Sequence, residues 1–483
     1  MVPLNSNGKM MLVLTLVCVS LGTNFTLLNG PQFLLTCSKF MTSVWENQLI
    51  NISSLPQCIP IETDEDFAMM TMWFYVGGLF GAVITDIINF YHSLSLRWNL
   101  ILGQLLNIVG LGLLVGSKVR WMVYLGRVIN GMGSGIQLSV IPVYLSLLIT
   151  DLQCLPSWFT AWFNYTLIPL GILLCQVVTK PLLNSFHWRD IFTIGVILNT
   201  VMLYPMFHYI LESPKWYLVN GQPNAVVKKS LRQLISITSE DLDGLLDEII
   251  DRWTTEWEQQ RNILAEGLDS RNSIRKMPFL HKYLHHWSIY FKTEEHHIAI
   301  QRIWLIVPLQ MINVQFINQY GMKLFNDILP DQGSMTLLII LSAIQVGVSL
   351  LHLLNVRKTR GSDQRPIFLS YYVSILIGIY FIVLSFSFKH KSKGIVVSIT
   401  TLILLTITET VLGMNKYFIA SQDPPPGYHT TQGIRLSRFC FWVGQIITAY
   451  TFPLLFDLIG HTIFLWLLFV LFSMNVVIKL YGI

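Results

Sequence analysis

Residues 125–145 read LGRVINGMGSGIQLSVIPVYL, an apolar stretch with one charged side chain, Arg127, close to its start. Gly131 and Gly135 are four residues apart, so they share a helix face and let a neighbouring helix approach closely. A charge in such a stretch is costly in a bilayer unless it is paired or reaches water, which makes Arg127 a candidate structural or gating residue. The stretch predicts a membrane-spanning helix that packs tightly against a second one.

The composition of the whole chain is that of a membrane protein. Of its 483 residues, 53% are hydrophobic and 12% are charged, which excludes an ordinary soluble domain. A helix needs roughly 20 apolar residues to cross the bilayer. We therefore predict an all-α membrane protein with twelve transmembrane helices, near residues 10–36, 67–91, 98–117, 121–149, 157–183, 189–211, 299–328, 335–356, 366–388, 394–421, 431–458 and 462–480.

A long charged segment divides these spans into two groups of six. We place this linker at 213–298, between an N-terminal half, 1–212, and a C-terminal half, 299–483. Two runs of apolar residues recur within it at helical spacing, which predicts two amphipathic helices on the inner face of the protein, the first opened by Pro223. The runs are Val226, Val227, Leu231 and Leu234, then Leu242, Leu245, Leu246, Ile249 and Ile250.

Basic residues near the ends of the spans indicate the orientation, because they tend to stay in the cytoplasm. With the N-terminus inside, most Lys and Arg residues are cytoplasmic, and the main exception is the group Lys389, Lys391 and Lys393. We therefore expect a multi-pass protein of the plasma membrane with both termini in the cytoplasm.

The loop between the first two spans would then be extracytoplasmic. It carries a glycosylation sequon at Asn51, and Cys37 and Cys58 stand on either side of it. The sequence is compatible with a disulfide bridge between these two cysteines and equally with two free thiols.

Residues 212–218 read ESPKWYL at the end of the sixth span. Ser213 is well placed as an N-cap, with Pro214 at the first helical position. The stretch predicts a sharp turn into a short helix at the cytoplasmic surface.

These motifs, in this order and at this separation, resemble those of the sugar-porter family of the major facilitator superfamily, which includes the facilitative glucose transporters. The matching pieces are Gly126-Arg127 with the glycines that follow, residues 171–176 (GILLCQ), the Glu-Ser-Pro-Lys turn at 212–215 and the region 310–325. The resemblance extends over nearly the whole chain. It implies the major facilitator fold, with a substrate site between the two halves near mid-membrane.

The resemblance also implies a set of substrate-binding residues. The family's sugar contacts are amides, aromatic side chains and a glutamate, which supply the donors and acceptors that hydroxyls need. Span seven supports a water-accessible cavity, because it holds Gln310, Asn313, Gln315, Asn318 and Gln319. The residues at or near the family's contact positions are Gln310, Gln315, Gln345, Glu409, Tyr417 and Tyr165.

Span ten also holds a pair of opposite charges. Glu409 and Lys416 are seven residues apart, so they can share one helix face, either as functional groups or as a pair that holds helices together. Lys416 replaces a proline of the family's motif, so the sugar site does not transfer unchanged there. We keep Lys416 as a candidate gating residue.

The inner-face motifs of the family are altered in this chain. The loop after span two offers only Arg97, and the family's glutamate late in span four is Leu147. In the second half the matching glutamate is Gln422, which we keep with Glu212 as a candidate gating residue. In the family, ion pairs at these places help to latch the outward-open state.

These features lead to one expected function and two alternatives. We expect a carrier of a small neutral polar solute, a hexose such as glucose or fructose. Facilitated diffusion is favoured, because residues 10–37 lack the carboxylate that proton-coupled relatives place in span one. The alternatives are a non-transporting receptor or sensor on the same fold, and a carrier of a small organic anion that uses Lys416 as counter-ion.

Other classes of function find no support in the sequence. It shows no catalytic constellation, no P-loop lysine motif and no long basic tract, so we expect neither an enzyme nor a nucleic-acid-binding protein. We expect no cofactor and no metal. The partners would be the solute and the lipid bilayer.

Overall fold

The computed structural model describes residues 6–28, 64–92, 95–148, 166–182, 188–234, 242–266, 287, 319–322, 331–358 and 428–459. Within these ranges the chain is helical and forms no strand. The helices are α1 (Ser6–Thr26), α2 (Asp64–His92), α3 (Leu96–Val115), α4 (Arg120–Ser146), α5 (Ile168–Thr179), α6 (Trp188–Tyr209), α7 (Pro214–Val219), α8 (Asn224–Leu234), α9 (Leu242–Glu266), α10 (Asp331–Lys358) and α11 (Tyr428–Ile459).

These helices agree with the predicted spans. Six of them, α1 to α4, α6 and α10, are long and apolar enough to cross a membrane. Helix α5 covers the second part of the predicted span 157–183, and α11 covers 431–458. Residues 319–322 are the described part of span seven, whereas the spans predicted at 366–388, 394–421 and 462–480 lie outside the described residues.

Helix α4 packs against α2 through small residues, as its glycine spacing predicted. A Cβ at Gly131 would overlap the backbone carbonyl of Phe74, and one at Gly135 would overlap that of Gly78. The two backbones are therefore in direct contact, which any larger side chain at these positions would prevent.

A buried network of amide side chains joins α1, α3, α4 and α6. Gln137 Nε2 donates to Gln104 Oε1 (2.6 Å), and Asn107 Nδ2 donates to Gln137 Oε1 (3.1 Å). Asn199 Oδ1 accepts from Ser20 Oγ and from Gln104 Nε2, each at 3.0 Å. Because an unpaired polar group is costly in the membrane interior, these paired amides favour one arrangement of the four helices.

The two linker helices form as predicted and extend the core of the first half. Val227 of α8 and Leu246 of α9 are fully buried in the same cluster as Met10 of α1. Val226 and Leu245, which belong to the same apolar runs, are 37% and 40% exposed. Neighbouring helical residues point about 100° apart, so only one of each consecutive pair faces the core.

The starts of α7 and α8 differ in detail from the prediction. Ser213 occupies the N-cap position of α7 and Pro214 its first, as predicted, but the Ser213 side chain makes no capping hydrogen bond. The carboxylate of Glu212 accepts from the Ser213 backbone N–H instead (3.0 Å). Pro223 lies just before α8, where its carbonyl oxygen accepts from the Val226 backbone N–H (2.8 Å).

Candidate functional site between the two halves

The two halves meet along α2 with α11 and along α5 with α10. At the first of these contacts, the Trp442 ring of α11 stacks on Phe25 of α1 (centroids 6.1 Å apart) and lies 6.4 Å from the Phe74 ring of α2. A Cβ at Gly78 would overlap the Trp442 ring. The indole of one half is thus inserted between helices of the other.

Tyr320, in the described part of span seven, connects the same elements. Its ring packs edge-on against Phe67 of α2 (5.8 Å between centroids) and stacks with Phe452 of α11 (5.7 Å). Its hydroxyl donates to the backbone carbonyl of Ala449. The described part of span seven, residues 319–322, therefore lies against α2 and α11 at the contact between the two halves.

Arg127 of α4 is buried at this junction. The residue is 1% exposed, and its Cζ atom lies 4.3 Å from the centroid of the Phe74 ring. Its Nε and Nη1 atoms have no hydrogen-bond partner. Among the ion pairs of the described residues, none includes Arg127. The guanidinium is therefore a buried cation that lacks a counter-charge within the described part of the chain.

Further buried polar atoms are unpaired on the helices that surround the junction. They include donors and acceptors on α1, on α4, just before α5, in the described part of span seven, on α10 and on α11. Such atoms are costly in a membrane protein unless water or a ligand pairs with them. They are both amide atoms of Asn24 and of Asn130, Thr166 Oγ1, Gln319 Nε2, Gln345 Oε1 and Trp442 Nε1.

Within the described ranges, an ion pair and a hydrogen bond cross from one half to the other. Arg435 Nη1 of α11 lies 2.6 Å from Asp86 Oδ1, near the C-terminal end of α2. This end of α2 is on the same side of the molecule as the linker. Ser342 Oγ of α10 donates to Gln176 Oε1 of α5 (2.7 Å). This ion pair was not predicted from the sequence. It joins the halves through two residues that lie outside the altered inner-face motifs.

Glu212 is held where the loop between α2 and α3 meets the linker. Ser95 Oγ donates to its carboxylate, as does the Ser213 backbone N–H, and Ser230 Oγ of α8 donates to the Glu212 carbonyl (3.3 Å). Burial raises the pKa of the Glu212 carboxyl, and the hydrogen bonds from Ser95 and Ser213 counteract part of that rise. Glu212 therefore connects the linker end of the first half to α7 and α8.

Three of the predicted site residues lie in the described part of the chain. Arg127 and Gln345 belong to helices of the junction, and Gln345 is half-buried. Glu212 lies apart from them, at the linker end. The others lie outside the described residues: Gln310, Gln315, Glu409, Tyr417, Tyr165, Lys416, Gln422 and Asn51, together with Cys37 and Cys58.

The site residues predicted from the sequence did not include Asn24, Asn130 or Trp442. A signal was available for the two asparagines, because each is a polar residue inside an apolar span. For Trp442 none was available, since an aromatic residue in an apolar span gives no indication of its partner.

Known solved structures share this fold. The xylose transporter XylE from E. coli, in a partially occluded inward-open conformation, superimposes with a TM-score of 0.65 at 14% identity, over 98% of this chain and 97% of that one. The proton:xylose symporter XylE bound to 6-bromo-6-deoxy-D-glucose gives a TM-score of 0.70 at 15% identity, over 98% of this chain and 94% of that one. The major facilitator fold is thereby confirmed.

Curated relatives match over similar lengths. Vacuolar protein sorting-associated protein 73 of Saccharomyces cerevisiae is 25% identical over 463 residues, 94% of this chain and 88% of that protein. A probable metabolite transport protein of the same yeast is 24% identical over 473 residues, 94% of this chain and 87% of its own length. The family model described as sugar (and other) transporter matches residues 10–481. The chain therefore belongs to the sugar (and other) transporter family, and it is a multi-pass membrane transporter rather than an enzyme.

Proposed function

We propose that this transporter carries a hexose, such as glucose or fructose, by facilitated diffusion. The observation that carries the proposal is the set of unpaired buried donors and acceptors around the junction of the halves, among them Asn24, Gln319 and Gln345. A hexose presents several hydroxyls, each of which donates and accepts, so it pairs with amide groups of both kinds. The apolar faces of its ring suit an aromatic neighbour such as Tyr417, which stands at the family's stacking position.

The complete site would combine these groups with residues that the family resemblance implies. We assign sugar contacts to Gln310, Gln315, Gln345, Glu409 and Tyr417, with Tyr165 beside them. Gln345 supports this assignment, because its half-buried side chain has an unpaired acceptor on α10.

The halves would move around that site in alternating access. In this proposal the moving bodies are residues 1–212 and 299–483, and the linker at 213–298 stays with the first half, against whose core α8 and α9 pack. The Asp86 to Arg435 ion pair would hold the linker end closed in one of the two states. Opening that end requires the pair to separate.

Proton coupling has less support than facilitated diffusion. The buried polar residues of α1 are Ser20, Asn24 and Thr26, and none of them is a carboxylate. Arg127 is paired with no carboxylate that the structure describes. A proton-driven carrier needs a group that exchanges a proton during the cycle, and none is evident in α1.

We further place the protein in the plasma membrane with both termini and the linker in the cytoplasm. Asn51 would then be exposed outside the cell and would carry a glycan. Treatment with a glycosidase should change the electrophoretic mobility of the wild type and leave an Asn51→Gln variant unchanged.

The test of the proposed function is zero-trans uptake of labelled glucose and fructose by cells that express the protein at a verified surface level. Gln310→Ala and Gln345→Ala should reduce saturable uptake. Gln222→Ala is the matched control, because Gln222 is exposed in the turn before α8. Uptake that stays at background for both sugars would overturn the hexose assignment.

A further inference from the structure

The buried charge of Arg127 is not balanced by its surroundings. A guanidinium carries five N–H donors and stays protonated, so removing it from water costs several kcal/mol unless an anion pairs with it. The Phe74 ring beneath it offers a cation–π contact at 4.3 Å. Even when desolvated, such a contact is weaker than the pairing of a guanidinium with an anion. The ring alone therefore does not offset the burial of the charge.

The nearby helices do not supply the missing anion either. Glu65 of α2 is exposed, so its carboxylate faces away from the buried guanidinium. On the same helix, Asp66 is held by Arg120 at 2.9 Å, and Asp86 is held by Arg435 at 2.6 Å. Helix α1 contains no carboxylate. Within the described residues, Arg127 thus has free hydrogen-bonding capacity on Nε and Nη1 and no internal acid to use it.

The position of Arg127 is that of a ligand-binding group. It lies seven residues, or about 10 Å along the helix, from Arg120 at the end of α4 remote from the linker. Arg127 contacts Phe74 of α2, and Tyr320 of span seven contacts Phe67, two turns earlier on the same helix. Gln319, the residue before Tyr320, has an unpaired Nε2 donor. A cation and polyol-binding amides therefore lie in neighbouring elements at the junction of the halves.

We propose that Arg127 binds the carboxylate of a sugar acid, so that the substrates of this transporter include hexuronates such as glucuronate. This inference rests on the proposed function, since the hydroxyls of the hexuronate would use the same amides as those of a hexose. The carboxylate supplies the counter-charge that the described residues do not. The closed site then contains a paired cation and not an isolated one.

Two ligands that share every group except a carboxylate in one and a neutral amide in the other test the proposal. Glucuronate and glucuronamide have the same ring and hydroxyls, but only glucuronate is an anion at neutral pH. We would measure the affinity of each for the purified full-length protein by thermal-shift titration, and the inhibition of labelled glucose uptake by each. Wild type should bind glucuronate at least tenfold more tightly than glucuronamide.

The variant Arg127→Gln should reduce that ratio to about one, and Arg127→Lys should keep part of it. Arg120→Gln is the matched control, because Arg120 is the neighbouring arginine on α4 and is already paired with Asp66. A ratio near one in wild type would overturn the proposal, and this would also be the result if an acid of the chain itself neutralises Arg127. A ratio that survives in Arg127→Gln would equally overturn it.

The same measurements separate this inference from the proposed function. Saturable glucose uptake without any preference for glucuronate over its amide would reject the inference alone. Tight glucuronate binding without hexose binding or uptake would reject the hexose assignment and support the anion site at Arg127. The wild-type comparison needs no variant, so it holds even if Arg127→Gln does not fold.

Discussion

Separating Asp86 from Arg435 should open the linker end of the transporter. The two side chains are 10% and 24% exposed and their charged atoms are 2.6 Å apart, so the pair lies between a surface and a buried ion pair. Exposed pairs contribute up to about 1 kcal/mol, and removing one partner of a buried pair costs about 3 to 5 kcal/mol. We take the contribution of this pair to the closed state as about 2 kcal/mol. Its loss corresponds to a roughly 30-fold shift in the equilibrium between the two states.

The assay is a double-mutant cycle of Asp86→Asn, Arg435→Gln and both together, read by pulsed EPR. Spin labels on α9 and on the first turn of α11 report the distance between the halves at the linker end. Each single variant should populate the longer distance, and the double variant should add little to either. Asp66→Asn is the control, because its partner Arg120 belongs to the same half.

Two results would refute this reasoning. If the two single effects add in the double variant, the residues act independently and the pair is not a latch. If Asp66→Asn lengthens the distance as much as Asp86→Asn, the change reflects a general loosening of α2.

Three further predictions follow from single contacts. Gly78→Ala should slow uptake by disfavouring the closed arrangement by about 1 to 3 kcal/mol, because its Cβ overlaps the Trp442 ring; Gly112→Ala, where a Cβ meets nothing within 4 Å, should transport normally. Asn199→Leu should lower the melting temperature of the detergent-purified protein, since each buried partner left unpaired costs about 1 to 3 kcal/mol, and an unchanged temperature would contradict the role given to the network. Burial raises the pKa of Glu212, so the folded protein holds this proton more tightly than the unfolded chain, and stability should fall as pH rises from about 4.5 through the raised pKa. The difference in melting temperature between wild type and Glu212→Gln should grow with pH over that range. A constant difference would contradict the raised pKa of the Glu212 carboxyl.

Much of the helical framework could be predicted because membrane spans obey simple rules. Apolar length places helices such as α2 and α6, and the spacing of Gly131 and Gly135 predicts the close approach of α4 to another helix. The rule does not say which helix approaches. Only the structure identifies α2 as the partner, through the carbonyl of Phe74.

The linker shows where a periodic pattern stops being informative. The apolar spacing correctly predicts two amphipathic helices, but it assigns consecutive residues such as Leu245 and Leu246 to the same buried face. Leu246 is buried in the core of the first half, whereas Leu245 is 40% exposed. The width of a buried stripe depends on the surface it meets, which is distant in the sequence.

The contacts between the halves were the least predictable part of the site. The ion pair of Asp86 and Arg435 and the fit of Trp442 over Gly78 each join residues of different halves. Family resemblance directed attention to spans seven and ten instead. Arg127 was recognised as unusual because of its charge, but the structure was needed to see that its Nε and Nη1 atoms have no partner among the described residues.

The central claim is that this chain is an alternating-access carrier of hexoses. Counterflow in proteoliposomes is its most direct test. Purified protein is reconstituted, the vesicles are loaded with unlabelled glucose, and labelled glucose is added outside at low concentration. A carrier that exposes one site alternately to each side should produce a transient accumulation of label inside, and Gln345→Ala should reduce it. Protein that is folded by its melting curve but gives no accumulation with glucose or fructose would contradict the account.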